Sequence, residues 1–400
     1  MQFKDIIGQQ PIKEQLIHMV QHNRLSHALL FLGKEGSGAL PLAIAFANYI
    51  ALQPAQKNTA PGLFGEEAPA KEKTLAQIDD WMQNHTSFSK VKEMVHPDIH
   101  FSYPVISKKP GDKPISTDFI KEWREFIQLH PYGNVFDWLQ FINAENKQGN
   151  ITTHECADIL KKLNLKSFES QYKILIMWMP ELLGKEGNKL LKLIEEPPAN
   201  TLFILVAENE DLILPTILSR TQLIKINALP TQQITTALTT RANIDTTKAA
   251  QVATLSEGNY REALLLLQHA EDDWQSLLRE WLNSIAKKNS IAQIKWIEEV
   301  SKLGREKQKQ FVKYFIHLLE LSVKIRALTG TTHANVVESE TDFAIRLNKL
   351  CQLGQQEAII NELNNASYYI ERNANAKMLF HALTLKLCYI ITNNSLILIN

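Results

Sequence analysis

The feature that most constrains the fold is a glycine-rich loop between a predicted strand and a predicted helix. The apolar run 28–32 is typical of a buried strand, the loop covers residues 33–40, and an apolar helical pattern runs over 40–50. Strand, glycine loop and helix in this order are the setting of a phosphate-binding P-loop. The alternative is an ordinary glycine turn, because short glycine patterns often arise by chance.

The loop keeps the glycines of a P-loop but lacks the groups that bind phosphate and magnesium. Its residues are Gly33, Lys34, Glu35, Gly36, Ser37, Gly38, Ala39 and Leu40. In a working loop the last glycine is followed by Lys, which reaches the β and γ phosphates, and by Ser or Thr, whose hydroxyl binds magnesium. Ala39 and Leu40 can do neither, and Lys34 lies at the opposite end of the loop. We therefore expect this degenerate loop to bind no nucleotide.

The second magnesium position of a P-loop ATPase also lacks its ligands. Such proteins end the relevant strand in two carboxylates, which hold the metal and orient the attacking water. Here the strand predicted over 173–178 ends with Trp178 and Met179 at these two positions, and Glu181 follows two residues late, after a proline. The sequence therefore predicts no intrinsic ATPase activity.

Chain length and charge bound the remaining possibilities. The chain has 400 residues, 44% hydrophobic and 22% charged, which is enough for two or three domains with cores of their own. Its 43 basic and 43 acidic residues cancel, so no overall field attracts nucleic acid or an anionic membrane. A DNA-binding module is therefore disfavoured, and any DNA contact is expected to be local or to come through partners.

The cysteines and the apolar runs indicate a cellular compartment. Cys156, Cys351 and Cys388 are odd in number and far apart, which predicts no disulfide framework and fits a reducing cytosol. The N-terminal residues show no signal pattern, and no apolar run approaches the roughly 18 residues of a membrane span. We expect a cytoplasmic protein with no membrane segment.

The order of the periodic segments predicts three domains. Residues 1–228 alternate strand and helix patterns, as in a parallel sheet flanked by helices, with an insertion over about 53–95 whose first part, 53–73, carries no periodicity. Predicted strands occupy 28–32, 99–105, 136–142, 173–178, 202–207 and 222–226. Three short helices, over 231–241, 246–255 and 259–268, predict a small lid at 229–273, and longer helices predict an all-α bundle at 274–400.

Two local signals refine this division. Thr152 and Glu155 have the spacing of a capping box, which predicts a helix from there to residue 163. The polar stretch 329–341 predicts a loop inside the helical bundle.

Motifs downstream of the strand predicted over 173–178 carry a family resemblance. Residues 188–198 read NKLLKLIEEPP and end in Glu195, Glu196, Pro197 and Pro198, and residues 214–220 read LPTILSR and end in Ser219 and Arg220. Supporting matches are IIGQ at 6–9, SHALL at 26–30, HPDI at 96–99 and RNAN at 372–375. Together these resemble the bacterial clamp-loader branch of the AAA+ ATPases, although Thr221 stands where that branch has Cys.

The resemblance implies a partner-dependent role. Combined with the degenerate loop, it implies a non-hydrolysing subunit of the DNA polymerase III clamp loader, in a five-membered ring with ATPase subunits and the delta subunit. Such a subunit lends an arginine, here Arg220 beside Ser219, to the ATP site of a neighbour, while primed DNA is met through the complex and the sliding clamp is contacted weakly if at all. The alternative for Arg220 is a structural arginine that caps a helix or pairs with a carboxylate. The alternative for the chain is an active ATPase motor subunit with an unorthodox loop.

The resemblance also marks secondary candidates. Arg261 looks like the sensor-2 arginine of the lid, for which a structural contact to the core is the alternative when no phosphate is bound. Glu195, Glu196, Pro197 and Pro198 are interface candidates, although the two carboxylates could simply be helix-end charges.

A zinc module of four cysteines, found in many clamp-loader ATPases, is absent from the sequence between residues 40 and 155. His85, His96 and His100 are too few to replace it. We therefore expect no zinc and no cofactor, with ATP bound by neighbouring subunits.

Overall fold

The computed structural model describes residues 1–54, 73–107, 109, 111–144, 147–268, 274–327, 338–372 and 374–393. Two compact units make up the chain, Met1–Ala263 and Leu264–Asn400. Most of the predicted lid therefore belongs to the first unit, and the division into 1–228, 229–273 and 274–400 stays a prediction. Nearly all of the aperiodic stretch 53–73 lies outside the described residues.

The first unit is built on a five-stranded parallel sheet. Its strands are β1 (Ala28–Gly33), β2 (Ile99–Ser102), β3 (Lys173–Trp178), β4 (Thr201–Ala207) and β5 (Gln222–Ile226). Their order across the sheet is β2-β3-β4-β1-β5, and every neighbouring pair is parallel. Since parallel strands need crossover connections that cover both faces of the sheet, the inner strands β1, β3 and β4 are buried almost throughout. The predicted α/β core is confirmed.

Helices precede the sheet, fill its crossovers and follow its last strand, and the last of them begins in the first unit and runs past Ala263. They are α1 (Gln10–Gln21), α2 (Ala39–Ala51), α3 (Leu75–Gln83), α4 (Phe88–Lys92), α5 (Ile120–Leu129), α6 (Val135–Phe141), α7 (Thr153–Leu163), α8 (Asn188–Glu195), α9 (Pro215–Leu218), α10 (Thr231–Ala242), α11 (Thr246–Leu255) and α12 (Tyr260–Gln268). All thirteen residues of α2 are buried, and this helix packs on the sheet directly behind the glycine loop. Helix α2 therefore fixes the glycine loop at the carboxyl ends of the strands.

The prediction of a strand over 136–142 is wrong, because this segment belongs to helix α6. Asn134 caps the helix: its side-chain oxygen accepts a hydrogen bond from the Asp137 amide at 2.9 Å, and the Asp137 carboxylate accepts one from the Asn134 amide at 3.1 Å. This reciprocal pair satisfies two backbone donors at the helix start. The aromatic residues that suggested a strand lie instead on a helix whose Trp138 is fully buried.

Two other predictions need correction. The second strand ends at Ser102 rather than at 105, and Val105 forms only an isolated antiparallel bridge with Asn150. Thr152 caps α7 as predicted, but Glu155 does not complete a capping box. Its buried carboxylate accepts hydrogen bonds from the amide and hydroxyl of Ser116 at 2.6 and 2.8 Å, and burial raises its pKa.

The second unit is helical in its described part, as predicted. Its helices are α13 (Trp274–Ala286), α14 (Ser290–Lys302), α15 (Arg305–Ala327), α16 (Glu338–Leu350), α17 (Leu353–Glu371) and α18 (Ala376–Asn393). Stacked rings of Trp281 and Trp296, with centroids 4.3 Å apart, mark the centre of its core. Of the loop predicted over 329–341, residues 329–337 lie outside the described part and the rest begin α16. Among the described residues, no helix combines the length and apolarity of a membrane span.

Candidate functional site

The glycine loop lies between β1 and α2, where the sequence predicts it. Gly36 and Gly38 adopt φ angles of +70° and +90°, a region that strongly favours glycine. A β-carbon on Gly36 would lie 1.8 Å from the side-chain oxygen of Asn259, so the loop and the segment before α12 meet in van der Waals contact. Ala39 and Leu40 are buried in the first turn of α2, and Lys34 is exposed at the other end of the loop.

The cavity beside the glycine loop is narrow. The cavity that the loop lines has a volume of about 20 Å³, and its other walls include Tyr132, Trp178 and Ala207. This volume holds about one water, whereas ligand pockets typically measure about 300–1,000 Å³. Tyr132 lies against Gly38 and accepts a hydrogen bond from the Ile7 amide at 2.8 Å. Burial raises the pKa of this phenol to about 12.

The charged groups beside the loop pair with one another, and together they carry more negative than positive charge. Arg261 is buried, and its guanidinium donates to both carboxylate oxygens of Asp137, at 2.5 and 2.6 Å. It also donates to Glu35 of the loop at 3.0 Å. An arginine with two carboxylate partners has little positive potential to offer an external anion. Glu35 also adds a negative charge to the wall of the cavity beside the loop.

Neutral groups complete this cluster. Asn134 and Asn259 donate to the two oxygens of Glu35 at 3.0 and 3.2 Å, and the Tyr260 amide donates to the Gly36 carbonyl at 3.2 Å. Arg261 therefore makes the structural contact that the sequence analysis gave as an alternative to phosphate binding. We call Glu35, Asn134, Asp137, Asn259 and Arg261 the internal ion cluster.

Sequence reasoning missed most of the internal ion cluster. Arg261 was singled out, but Glu35 was given no role, and Asn134 and Asp137 fell beside or inside a segment predicted as a strand. The spacing Asn-x-x-Asp is a helix-start signal that could have identified α6. Nothing in the local sequence could have indicated that this helix start meets the glycine loop.

The end of β3 is apolar, as its sequence implies. Trp178 is buried against Trp123 and Phe126, with ring centroids 5.2 and 6.3 Å away. Glu181 accepts hydrogen bonds from the amides of Glu208 and Asn209 at 2.6 and 3.0 Å, and burial raises its pKa. Glu181 thus anchors the segment after β4 beside the loop.

Two of the three histidines considered for zinc accept hydrogen bonds from nearby backbone amides. The Nδ1 atoms of His85 and His96 accept from the amides of Ser87 and Asp98, and burial lowers the pKa of His100 to about 4. Within the described part of the chain, no three or more His, Cys, Asp or Glu side chains are grouped so as to hold a metal ion. The absence of zinc remains a prediction.

Arg220 lies near the surface, two residues past the short helix α9. Its Nη1 donates to the Thr216 carbonyl at 2.8 Å and to the Ser219 hydroxyl at 3.1 Å, and its Nη2 forms an ion pair with Glu195 at the end of α8. These are the contacts of the structural alternative, a helix-capping arginine paired with a carboxylate. About a third of the side chain remains exposed, in contrast to Arg261. Glu196, which follows Glu195, is also exposed.

Comparison with known proteins identifies the family. A family model described as "DNA polymerase III, delta subunit" matches residues 8–230, more than half of the chain. The DNA polymerase III subunit gamma of Buchnera aphidicola is 26% identical over 191 residues, which are 42% of this chain and 53% of that protein. An uncharacterized protein of Mycoplasma pneumoniae is 43% identical over 74 residues, 18% of this chain and 29% of its own length. The chain thus spans about half of the first relative and under a third of the second.

Solved structures with low sequence identity also align. A gamma subunit-related protein of Thermotoga maritima is 13% identical, with 92% of this chain and 97% of that chain covered, at a TM-score of 0.36. The RuvB branch migration motor of Thermotoga maritima is 13% identical over 82% and 79% of the two chains, at 0.37. The Bacillus subtilis DNA clamp loader delta protein is 14% identical over 75% and 98%, at 0.25. These TM-scores are all below 0.5.

The class follows from the chain itself. A parallel sheet in the order β2-β3-β4-β1-β5, with a glycine loop between β1 and the helix that follows it, has the α/β architecture of the P-loop class of proteins. The chain belongs to the DNA polymerase III delta subunit family, whose model it matches over residues 8–230.

Proposed function

We propose that this chain is the delta-prime subunit of the DNA polymerase III clamp loader, a non-hydrolysing stator that supplies Arg220 to the ATP site of a neighbouring subunit. The observation that carries the proposal is the contrast between two arginines. Arg261, which lies beside the chain's own glycine loop, is buried and paired with two carboxylates. Arg220, beside Ser219 in the family motif, is partly exposed and held by surface contacts.

The loop supports the non-hydrolysing half of the proposal. Phosphoryl transfer depends on positioning and on cations that neutralise the developing charge. Ala39 and Leu40 provide no phosphate cation and no metal ligand, Trp178 provides no carboxylate, and the cavity holds about 20 Å³. Glu35 would repel a triphosphate in the same place.

The chemistry of guanidinium supports the other half. An arginine finger provided in trans stabilises charge spread over the equatorial oxygens of the transferred phosphoryl group, and contributes about 10³ to 10⁵ in rate. The bound nucleotide would belong to the neighbour, so a chain without its own ATP site could still be required for hydrolysis. The partners proposed are ATPase subunits and the delta subunit in a five-membered ring at the replisome. Primed DNA and the sliding clamp would be met through that complex, which fits a net charge of zero.

The test of the finger is Arg220→Ala in the reconstituted complex. We expect ATP hydrolysis at the neighbouring site to fall by about 10³-fold or more, with the complex still assembled by size-exclusion chromatography. Lys225→Ala, which removes an exposed cation from nearby β5, is the matched control and should leave the rate unchanged. A normal rate from an assembled Arg220→Ala complex would show that Arg220 is structural.

The alternative is an active ATPase motor with an unorthodox loop, and the intact glycine conformations at Gly36 and Gly38 favour it. Titration calorimetry of the purified chain with magnesium-ATP separates the two functions. We expect no binding heat at millimolar nucleotide. Saturable binding at micromolar concentration would support the motor and contradict the stator.

A further inference from the structure

The guanidinium of Arg220 is largely occupied by residues of its own chain. Both Nη1 hydrogen bonds return to the preceding turn, to the Thr216 carbonyl and the Ser219 hydroxyl, and Nη2 is paired with Glu195. The side chain thus folds back over α9 towards the end of α8. In this arrangement a guanidinium nitrogen that could bind a phosphate already has an anionic partner.

Glu195 is in an unusual place for an acidic residue. It is the last residue of α8, where the helix dipole places partial negative charge and a carboxylate is unfavourable. The ion pair with Arg220 offsets that cost, and it joins the start of the Glu-Glu-Pro-Pro segment to the Ser-Arg segment 25 residues away in sequence. The two family motifs of the sequence therefore meet in one contact.

The ion pair between Arg220 and Glu195 can be broken at a low cost in free energy. The Arg220 and Glu195 side chains are 35% and 41% exposed, and exposed ion pairs shift an equilibrium by no more than about fivefold. A polyphosphate carries more charge than a carboxylate and accepts guanidinium hydrogen bonds in the same bidentate geometry. It would displace Glu195 without needing any change in the fold of this unit.

We propose that Glu195 is a latch that holds Arg220 in a parked position until a polyphosphate presented by a neighbouring subunit competes for the guanidinium. The proposal deepens the stator function and rests on it for the identity of the competing anion. Glu195 acts through Arg220, so it is a positioning residue and contacts no nucleotide itself.

The latch can be tested first on the full-length chain alone. Arginine side chains are labelled with ¹⁵N, the Arg220 signal is assigned with Arg220→Ala, and inorganic tripolyphosphate is titrated. We expect Glu195→Gln to move the Arg220 signal in the free chain and to tighten its response to tripolyphosphate by two- to fivefold. Glu210→Gln, which removes an exposed carboxylate from the segment between β4 and α9, should do neither. A Glu195→Gln signal that matches the wild type, or that does not respond to tripolyphosphate, would overturn the latch.

The second arm measures hydrolysis by the reconstituted complex. Glu195→Gln, which removes the latch, should raise the rate of ATP hydrolysis at limiting ATP by two- to fivefold. This gain should disappear when Arg220→Ala is combined with Glu195→Gln. A lower rate in Glu195→Gln would mean that Glu195 supports the engaged finger, and an unchanged rate would mean that it does not oppose engagement; either result contradicts the proposal. If Arg220→Ala alone leaves hydrolysis normal, the stator function fails, while the titration of the free chain still decides whether Glu195 holds Arg220.

Discussion

The two arginine sites of the first unit differ in burial and in the origin of their partners. Arg261 is 4% exposed and is held by Glu35 and Asp137, which are 226 and 124 positions away in sequence. Arg220 is about one-third exposed, and its partners come from its own turn and from the end of α8. A buried arginine with two carboxylates serves the fold, because any new ligand must first replace both. An exposed arginine with one weak ion pair can exchange that partner for an external anion.

The largest expected effect comes from breaking the internal ion cluster. Arg261→Ala leaves Glu35 and Asp137 partly buried without their cation, so the free energy of unfolding should fall by about 3–5 kcal/mol. Urea denaturation followed by circular dichroism measures this loss.

Arg220→Ala is the control for the same measurement. Because its ion pair is exposed, it should change the free energy of unfolding by about 1 kcal/mol or less. Equal losses of unfolding free energy from the two substitutions would remove the distinction between the buried and the exposed arginine.

A smaller loss is expected at the glycine that meets the segment before α12. Gly36→Ala adds a β-carbon 1.8 Å from the Asn259 side-chain oxygen, at a φ of +70°. We expect about 1–3 kcal/mol of destabilisation from backbone strain and displacement of Asn259.

Gly111→Ala separates the two causes in that measurement. Gly111 has a φ of +89° and no heavy atom within 4 Å of its added β-carbon, so it reports strain without a clash. Equal losses of unfolding free energy in the two variants would mean that the contact between the glycine loop and the segment before α12 does not contribute to stability.

The smallest expected effect is a change in pH dependence at Glu181. Burial raises its pKa in the folded chain above the ordinary value, so the folded state holds this proton more tightly than the unfolded state does. The wild type should then lose stability as the pH rises from the unfolded pKa through the folded one.

Glu181→Gln should not show that loss, because the side chain cannot ionise, while its oxygen can still accept from the Glu208 and Asn209 amides. The difference in unfolding free energy between variant and wild type, measured from pH 4 to 8, should move in favour of the variant as the pH rises. A difference that is constant with pH would mean that Glu181 ionises as freely in the folded chain as in the unfolded one.

Much of the sheet could be predicted from sequence because its inner strands are short and almost entirely apolar. Residues 173–178 and 222–226 are strands with the predicted bounds. The failure at 136–142 has a local cause: apolar and aromatic residues of α6 resemble a strand unless the capping pair at Asn134 and Asp137 is recognised. Glu155 shows the limit of a pattern, since its spacing predicted a cap but its carboxylate found a buried partner in Ser116.

The sequence by itself determined which chemical groups the loop lacks, because the absence of a lysine, a hydroxyl and two carboxylates at fixed spacing does not depend on packing. It also determined the family motifs around Glu195 and Arg220. Only the tertiary structure decided what occupies the space beside the loop, because Glu35, Asp137 and Arg261 lie in three distant segments. Their pairing depends on the sheet bringing the glycine loop, the start of α6 and the start of α12 to one place. For the same reason the sequence identified two arginines of interest, and the fold assigned one to the interior and the other to the surface.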